Sequence, residues 1–410
     1  MSNSRNIFLW ALYDFANSLV QIVFFLYFAQ WIVINKEIAD IYFNLTFTVA
    51  AILLLLSAPL IGSLLDSSLR RITGLRYSTV AVILFYSLCA FCAVVDSGSW
   101  ALVFFSLGLY SYLLTFTFYT PLINDIANPK RRGAVSGFGV ASHYAGQFVG
   151  LLVALPFSIG VVSLFGGEAR AETLLPSVCA FALFALPMLI WFKEPKKEST
   201  PLRTRESFHL LFSQTKQVFL VPSIGLFLLA YFLFNDAILT ASNNFPIFLD
   251  VVWGVPDTIK TYILLGIIVT SGIGGLVSGL VADRMGHKRT LVFILAGWVL
   301  ILPLLGVVQN FTLFVVVATI MGFWFGSHWT VSRSMMAHLA PKGGHNLSFA
   351  YFSLVERASS FVGPVFWGVT VGMLSEAGND RYRISMAALS IFVALGLLAL
   401  SKVKSDKDHQ

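Results

Sequence analysis

In the run Trp10-Ala-Leu-Tyr13-Asp14-Phe-Ala16-Asn17-Ser18-Leu-Val-Gln21, a carboxylate, two amides and a tyrosine interrupt an apolar stretch that reaches Val33. Asp14, Asn17 and Gln21 recur every three or four residues, which places them on one face of a helix. A charge inside a bilayer costs several kcal/mol, so it must face a cavity or a partner and is a functional candidate by default. Asp14 lies only about 10 Å into such a helix at 1.5 Å per residue. Pinning of nearby backbone is therefore an equal reading of it.

A second set lies further on. Asn235 and Asp236 fall deep in another apolar run, and Asn243-Asn244-Phe-Pro246 after them predicts a helix broken toward its far end. Trp324, His328, Trp329 and Arg333 share a third run. A guanidinium beside aromatic rings suits an anionic or zwitterionic solute, because Arg forks a carboxylate and Trp faces an ammonium. The competing reading pairs Arg333 with Glu356 one helix later. His143 and Gln147, four apart, suit either a proton path or a helix-to-helix hydrogen bond. Within the spans Asp14, Asp236 and Glu356 face only Arg333 and Arg357, which leaves one carboxylate without a basic partner. If Arg333 takes Glu356 and Asp14 finds water or loop donors, Asp236 is the expected protonation site, with Asp14 as the alternate.

The elements that must hold these groups follow from composition. Of 410 residues 57% are hydrophobic and 11% charged, far from a soluble domain. Apolar runs long enough to cross roughly 30 Å of hydrocarbon as helices recur throughout. Alternating strands of the barrel kind are absent from the sequence. The reading is an all-α membrane protein with twelve transmembrane helices in two six-helix pseudo-symmetric halves. The predicted spans cover 7–33, 41–65, 77–95, 99–125, 134–158, 174–192, 222–250, 259–282, 290–308, 311–339, 347–374 and 384–401. Residues 1–193 form the N-terminal half, 194–217 a cytoplasmic linker and 218–410 the C-terminal half. In the linker, Phe208, Leu210, Leu211 and Phe212 suit a short helix on the membrane surface. The Arg5-led first run is too long for a signal peptide and is expected to stay as the first helix.

Lys and Arg placement sets orientation. With a cytoplasmic N-terminus, 20 of the 27 basic residues fall on that side; Lys36, Arg170, Lys260, Arg381 and Arg383 fall on the other. Both termini are then cytoplasmic. The net charge of +7 reflects topology rather than nucleic-acid binding. Cys89, Cys92 and Cys179 lie in apolar runs with no second ligand pair, so they read as packing residues; no metal and no cofactor is expected.

The halves echo each other. Gly62-Ser-Leu64-Leu-Asp66 with Arg70 and Arg71 follows the second span, and Gly279-Leu-Val-Ala-Asp283-Arg284-Met-Gly286-His-Lys288-Arg289 follows the eighth, at an offset of 217. Pro129-Lys-Arg-Arg-Gly133 and Pro341-Lys-Gly-Gly344 repeat at 212. Such repeats suit a parallel duplication. The Gly-x-x-x-Asp loops resemble the cytoplasmic signature of the major facilitator superfamily, where glycine gives a sharp helix exit and Asp with basic residues can hold one face shut. The first copy departs from the signature at Ser67 and Leu69, so the charge network around Asp283 is expected to be the fuller one.

Three stretches narrow the resemblance: Tyr13-Asp14-Phe-Ala16-Asn17-Ser18; Asn124-Asp125-Ile-Ala127 with Arg132-Gly133 through Gly139; and Ser332-Arg333-Ser334 through Ser360-Phe361-Val-Gly363-Pro364. These resemble the vacuole-effluxer-like branch of that superfamily, with its fungal autophagy-related amino-acid exporters and bacterial relatives. The absence of the long fungal insertions fits a compact bacterial form. The resemblance implies that Asp14, Asn17 and Gln21 face a central cavity, and that the chain moves a small solute, amino acids being the best-known class. The expected protein is a monomeric, proton-coupled secondary transporter in a bacterial inner membrane. A transporter-derived receptor is the alternative. Signatures of metalloprotease, hydrolase and phosphate-loop chemistry are missing, which argues against an enzyme and a self-powered pump. The glycine stripe Gly266, Gly272, Gly274, Gly275 and Gly279 suggests close helix packing.

Overall fold

A computed structural model describes residues 2–67, 70–127, 132–194, 222–340 and 345–404, without the side chains of 2–3, 58–60, 62–67, 124, 132–134, 345–347 and 349–350. Among the described residues there are helices and no strand, as hydrocarbon demands of a chain that must satisfy its own backbone. In chain order they are α1 (Ser2–Val23), α2 (Asp40–Ser67), α3 (Arg71–Val94), α4 (Gly98–Tyr119), α5 (Arg132–Ser158), α6 (Leu174–Trp191), α7 (Pro222–Trp253), α8 (Asp257–Met285), α9 (His287–Val307), α10 (Phe311–Leu339), α11 (His345–Ala358), α12 (Gly363–Met373), α13 (Asp380–Ala388) and α14 (Ser390–Ser401). Single turns extend α4 at Ile123–Ile126 and precede α6 at Ala169–Glu172. The expected linker beyond residue 194, the surface helix within it and the loops at 129–131 and 341–344 lie outside the described residues.

Eleven described helical stretches are long and apolar enough to cross a membrane, the last joining α13 and α14 over Asp380–Ser401. The predicted span 347–374 is the exception, because it divides into α11 and α12 around residues 359–362. The break expected at Asn243-Asn244-Phe-Pro246 does not occur. Helix α7 runs unbroken through Pro246. There the Ser242 and Asn244 side chains donate to the carbonyls of Ile238 and Thr240, at 2.9 Å each. Proline is tolerated in membrane helices where side chains and neighbouring helices satisfy the local backbone.

The chain forms two compact units: Met1–Ser207 with Pro256–Thr261, and Phe208–Val255 with Tyr262–Gln410. In each unit the first helix is the most enclosed, 78% of the apolar core of the span being buried for α1 and 67% for α7. A helix apolar on every side belongs at the centre of its bundle. Around α1 the rings of Phe24, Phe28, Tyr86 and Phe105 are fully buried, with Phe24 stacked on Tyr86 at 4.1 Å. In the second unit Tyr231 of α7 packs on Phe352 of α11 at 4.5 Å.

Past Val23 the first helix widens into two π segments, Phe24–Phe28 and Trp31–Asn35. Such segments often re-aim side chains. Beyond them Lys36 pairs with Asp96 and Glu168, and these carboxylates hold its ammonium above the usual lysine range.

Candidate functional site

The first unit gathers polar groups along α1. Asp14 Oδ1 lies 3.6 Å from His143 Nδ1 on α5, and both side chains are partly exposed, at 15% and 17%. Gln147, one turn on, places its amide nitrogen 3.2 Å from His143 Nε2. Gln21 accepts from the Tyr112 hydroxyl at 3.1 Å. Asn17 is fully buried, with neither amide atom hydrogen-bonded. An unmet amide in such surroundings costs about 1–3 kcal/mol. Tyr13, four residues before it, meets Thr79 at 2.6 Å, and Trp10 stacks on Tyr119 at 5.0 Å. Helix α5 comes this close because a Cβ on Gly146 would lie 2.2 Å from the Phe15 carbonyl oxygen, and one on Gly150 2.6 Å from that of Leu19.

In the second unit four candidates form one chain. His328 Nε2 meets Asn235 Oδ1 at 3.3 Å; Asn235 Nδ2 donates to the Glu356 carbonyl at 3.4 Å; the Glu356 carboxylate accepts from Arg333 Nη2 at 3.0 Å. His328 is fully buried among Phe234, Trp298, Phe325 and Trp329. Arg333 is 45% exposed and lies over Trp329 at 5.8 Å. Trp324 turns instead to α9, where its ring fills the space over Gly297 and meets Phe293.

Asp236, expected to lack a partner, has backbone ones. Its carboxylate accepts from the N–H groups of Phe361 at 3.0 Å and Gly363 at 2.6 Å. It therefore caps α12 from another helix, with a negative charge where the helix dipole favours one. Accounting by charged side chains alone overlooks this, because the donors belong to the α11/α12 break.

Of the charged side chains in the first loop signature, those of Arg70 and Arg71 are described. In the first copy Arg71 pairs with Asp125 at 2.8 Å, while Glu194 accepts from the N–H groups of Arg71 and Ile72 and so caps α3. Arg70 is exposed; Gly62 and Asp66 lie within α2, but their side chains are outside the description. In the second copy Asp283 is 74% exposed and reaches His287 at 3.7 Å. Arg284 is exposed. Lys288 donates to the carbonyls of Ser401 and Val403, a charge at the C-terminal end of α14. Gly279 makes ordinary contact with Thr330. Gly286 sits at φ 92°, ψ 141°, directly before α9. A side chain there is strained, so Gly286→Ala is expected to cost roughly 1–3 kcal/mol, read as a lower melting temperature. An unchanged melt would remove the backbone argument.

The comparisons agree with this architecture. The family model described as "Vacuole effluxer Atg22 like" matches residues 122–410. The chain belongs to the Atg22-like vacuole effluxer family. Among its relatives, the uncharacterized MFS-type transporter YxiO of Bacillus subtilis is 24% identical, the match covering 97% of this chain and 94% of that protein. Autophagy-related protein 22 of Yarrowia lipolytica is 22% identical over 68% of this chain, which spans about half (51%) of the fungal protein. Two solved structures share the fold. A bacterial homolog of the human lysosomal transporter Spinster has a TM-score of 0.74 at 15% identity, covering 98% of this chain and 97% of that one. The nucleoside transporter NupG gives 0.73 at 12%, covering 97% and 100%. This Atg22-like chain is thus a multi-pass transporter of the major facilitator type, and its relatives are transporters rather than enzymes.

Sequence reasoning missed the strongest polar cluster of this Atg22-like protein. Asp257, at the start of α8, accepts from Arg170 Nε and Nη2 at 3.1 Å each and from Lys260 Nζ at 2.9 Å. Lys260 also donates to Gln30 Oε1 at 2.5 Å and is fully buried, although its place near a helix end suggested a wet loop. Gln30 stands between the two π segments. Asp257 and Lys260, three apart, and an amide inside an apolar run were the available signals. Nearby, Glu172 accepts from Ser163 Oγ at 2.9 Å and from the N–H groups of Leu164, Phe165 and Gly167, so one buried carboxylate fixes the turn at 163–167.

Proposed function

We propose that this transporter moves a small polar solute of the amino-acid class by alternating access between its two halves, coupled to protons. It works as a monomer in a bacterial inner membrane, with both termini cytoplasmic. The carrying observation is Arg333: partly exposed, braced by Glu356 at 3.0 Å and backed by the Trp329 ring. A guanidinium held planar by a carboxylate and an indole is prepared to fork an incoming carboxylate. Asp14 and His143 supply a partly exposed anionic site in the first unit, suited to an ammonium or a proton. Orientation rests on the excess of Lys and Arg in alternate loops.

Purified full-length protein in liposomes, offered a radiolabelled amino-acid mixture under an imposed pH gradient, is expected to accumulate label when the gradient is present. Binding without accumulation would favour a receptor, and neither binding nor uptake would remove the solute class. In the same assay Arg333→Gln is expected to raise KM about tenfold or more, equivalent to about 1.4 kcal/mol, with the maximal rate changed far less. A KM equal to wild type would take Arg333 out of solute binding.

A further inference from the structure

Asp236 caps the α11/α12 break, and the first unit holds another carboxylate, Asp14, beside a histidine. We infer that Asp14, His143 and Gln147 form a proton-binding site of the first unit, in which His143 gains the proton and Gln147 turns over when it does. This rests on the proton-coupled reading above and names the group that performs it.

Gln147 presents its amide nitrogen to His143 Nε2 at 3.2 Å. With the amide donating in this orientation, Nε2 is the acceptor of a neutral imidazole and the ring proton sits on Nδ1. That nitrogen faces Asp14 Oδ1 at 3.6 Å, beyond a good hydrogen bond but within range of a charge pair. When Nε2 takes a proton, both ring nitrogens become donors. Nδ1–H then pairs with the carboxylate, while Nε2–H meets the amide N–H₂ of Gln147 head on. The amide has to rotate and offer Oε1 instead. One proton thus changes the charge facing α1 and the orientation of a side chain on α5. Both Asp14 and His143 are partly exposed.

Among the described residues, no other cation is paired with Asp14. The titratable groups near Asp14 are the hydroxyls of Tyr13 on its own helix and Tyr119 on α4. On α6 the neighbour is Phe184, edge-on to Phe15. Tyr144 lies edge-on to the imidazole. In the short turns packed against α5, Asp125 is paired with Arg71, Arg170 with Asp257, and Glu172 with the loop backbone. Among the described residues, His143 is the ion partner of Asp14. Gly146 and Gly150, beyond the pair along α5, bring the helix close to the α1 backbone at Phe15 and Leu19.

The test is a pH titration of ¹⁵N-histidine signals in the detergent-purified full chain, with the His143 signal identified by its loss in His143→Gln. The expected signal is a neutral ring protonated at Nδ1 that gains a second proton at Nε2 as the pH falls. Gln147→Glu, which places an acceptor at Nε2, is expected to raise the midpoint by one pH unit or more, a tenfold gain in proton affinity. Asp14→Asn is expected to lower it. A ring protonated at Nε2, or midpoints that both substitutions leave in place, would overturn the assignment. In liposomes, His143→Gln is expected to abolish gradient-driven accumulation of the amino-acid mixture. If wild-type transport ignores the pH gradient, the coupling reading fails, whatever the titration shows. If wild type responds and His143→Gln responds equally, this inference fails.

Discussion

Asp257→Asn is expected to lower the unfolding free energy by roughly 3–5 kcal/mol, the usual cost of removing one partner from a buried ion pair. Asp257 takes two bonds from Arg170 and one from Lys260, and Lys260 has no exposure at all. An asparagine keeps the shape but leaves the ammonium with Gln30 as its neutral acceptor. Lys260→Met in the same background should recover much of the loss, because it removes the stranded charge while filling its volume. Melting temperatures of the detergent-solubilised single and double variants would settle the matter. A single variant within about 1 kcal/mol of wild type would mean that the cluster behaves like surface charge.

Asp236→Asn is expected to loosen the α11/α12 break without uncoupling transport. One carboxylate now serves the N–H groups of both Phe361 and Gly363. An asparagine offers one oxygen, so its amide N–H₂ must face one of these donors, at a cost of about 1–3 kcal/mol. Loss of charge at the helix N-terminus adds to this. Amide hydrogen exchange at residues 361 and 363 should quicken about tenfold or more, 1.4 kcal/mol being one such factor. Accumulation per folded transporter should still respond to the pH gradient. Unaltered exchange would argue against the clamp, and lost coupling would return Asp236 to the place of proton carrier.

The spans were legible because a membrane helix must stay apolar over its whole crossing, a signal that needs no tertiary partner. The break in the eleventh span was not. Pro246 drew attention to α7, yet the helix continues through it. The true interruption sits at Ser359-Ser360-Phe-Val-Gly363-Pro364, with Pro364 in the first turn of α12, where a missing N–H does no harm. Those residues stand out in the sequence for their resemblance to a family, not for their geometry. At the site, spacing placed Asp14, Asn17 and Gln21 on one face, because that is a property of one helix. Spacing could not show that His143 meets Asp14, since the meeting depends on how closely α5 approaches. The burial of Lys260 was equally hidden: hydropathy reads a lysine near a helix end as wet, and only its neighbours reveal otherwise.

The membership of Pro256–Thr261 in the first unit bears on any attempt to divide this gene. A cut within the linker yields two polypeptides of six predicted spans each, but the first is born without Asp257 and Lys260, and so without the groups that Arg170 and Gln30 hold. Expressed alone, that fragment keeps the Arg170 bond to Asn35 but loses the Asp257 carboxylate. Supplied with the second fragment, it regains its missing turn. The duplicated halves have thus ceased to be interchangeable modules: a stretch encoded in one completes the interior of the other, so a swap with the corresponding half of a distant relative must carry Asp257 and Lys260 along with Arg170 and Gln30.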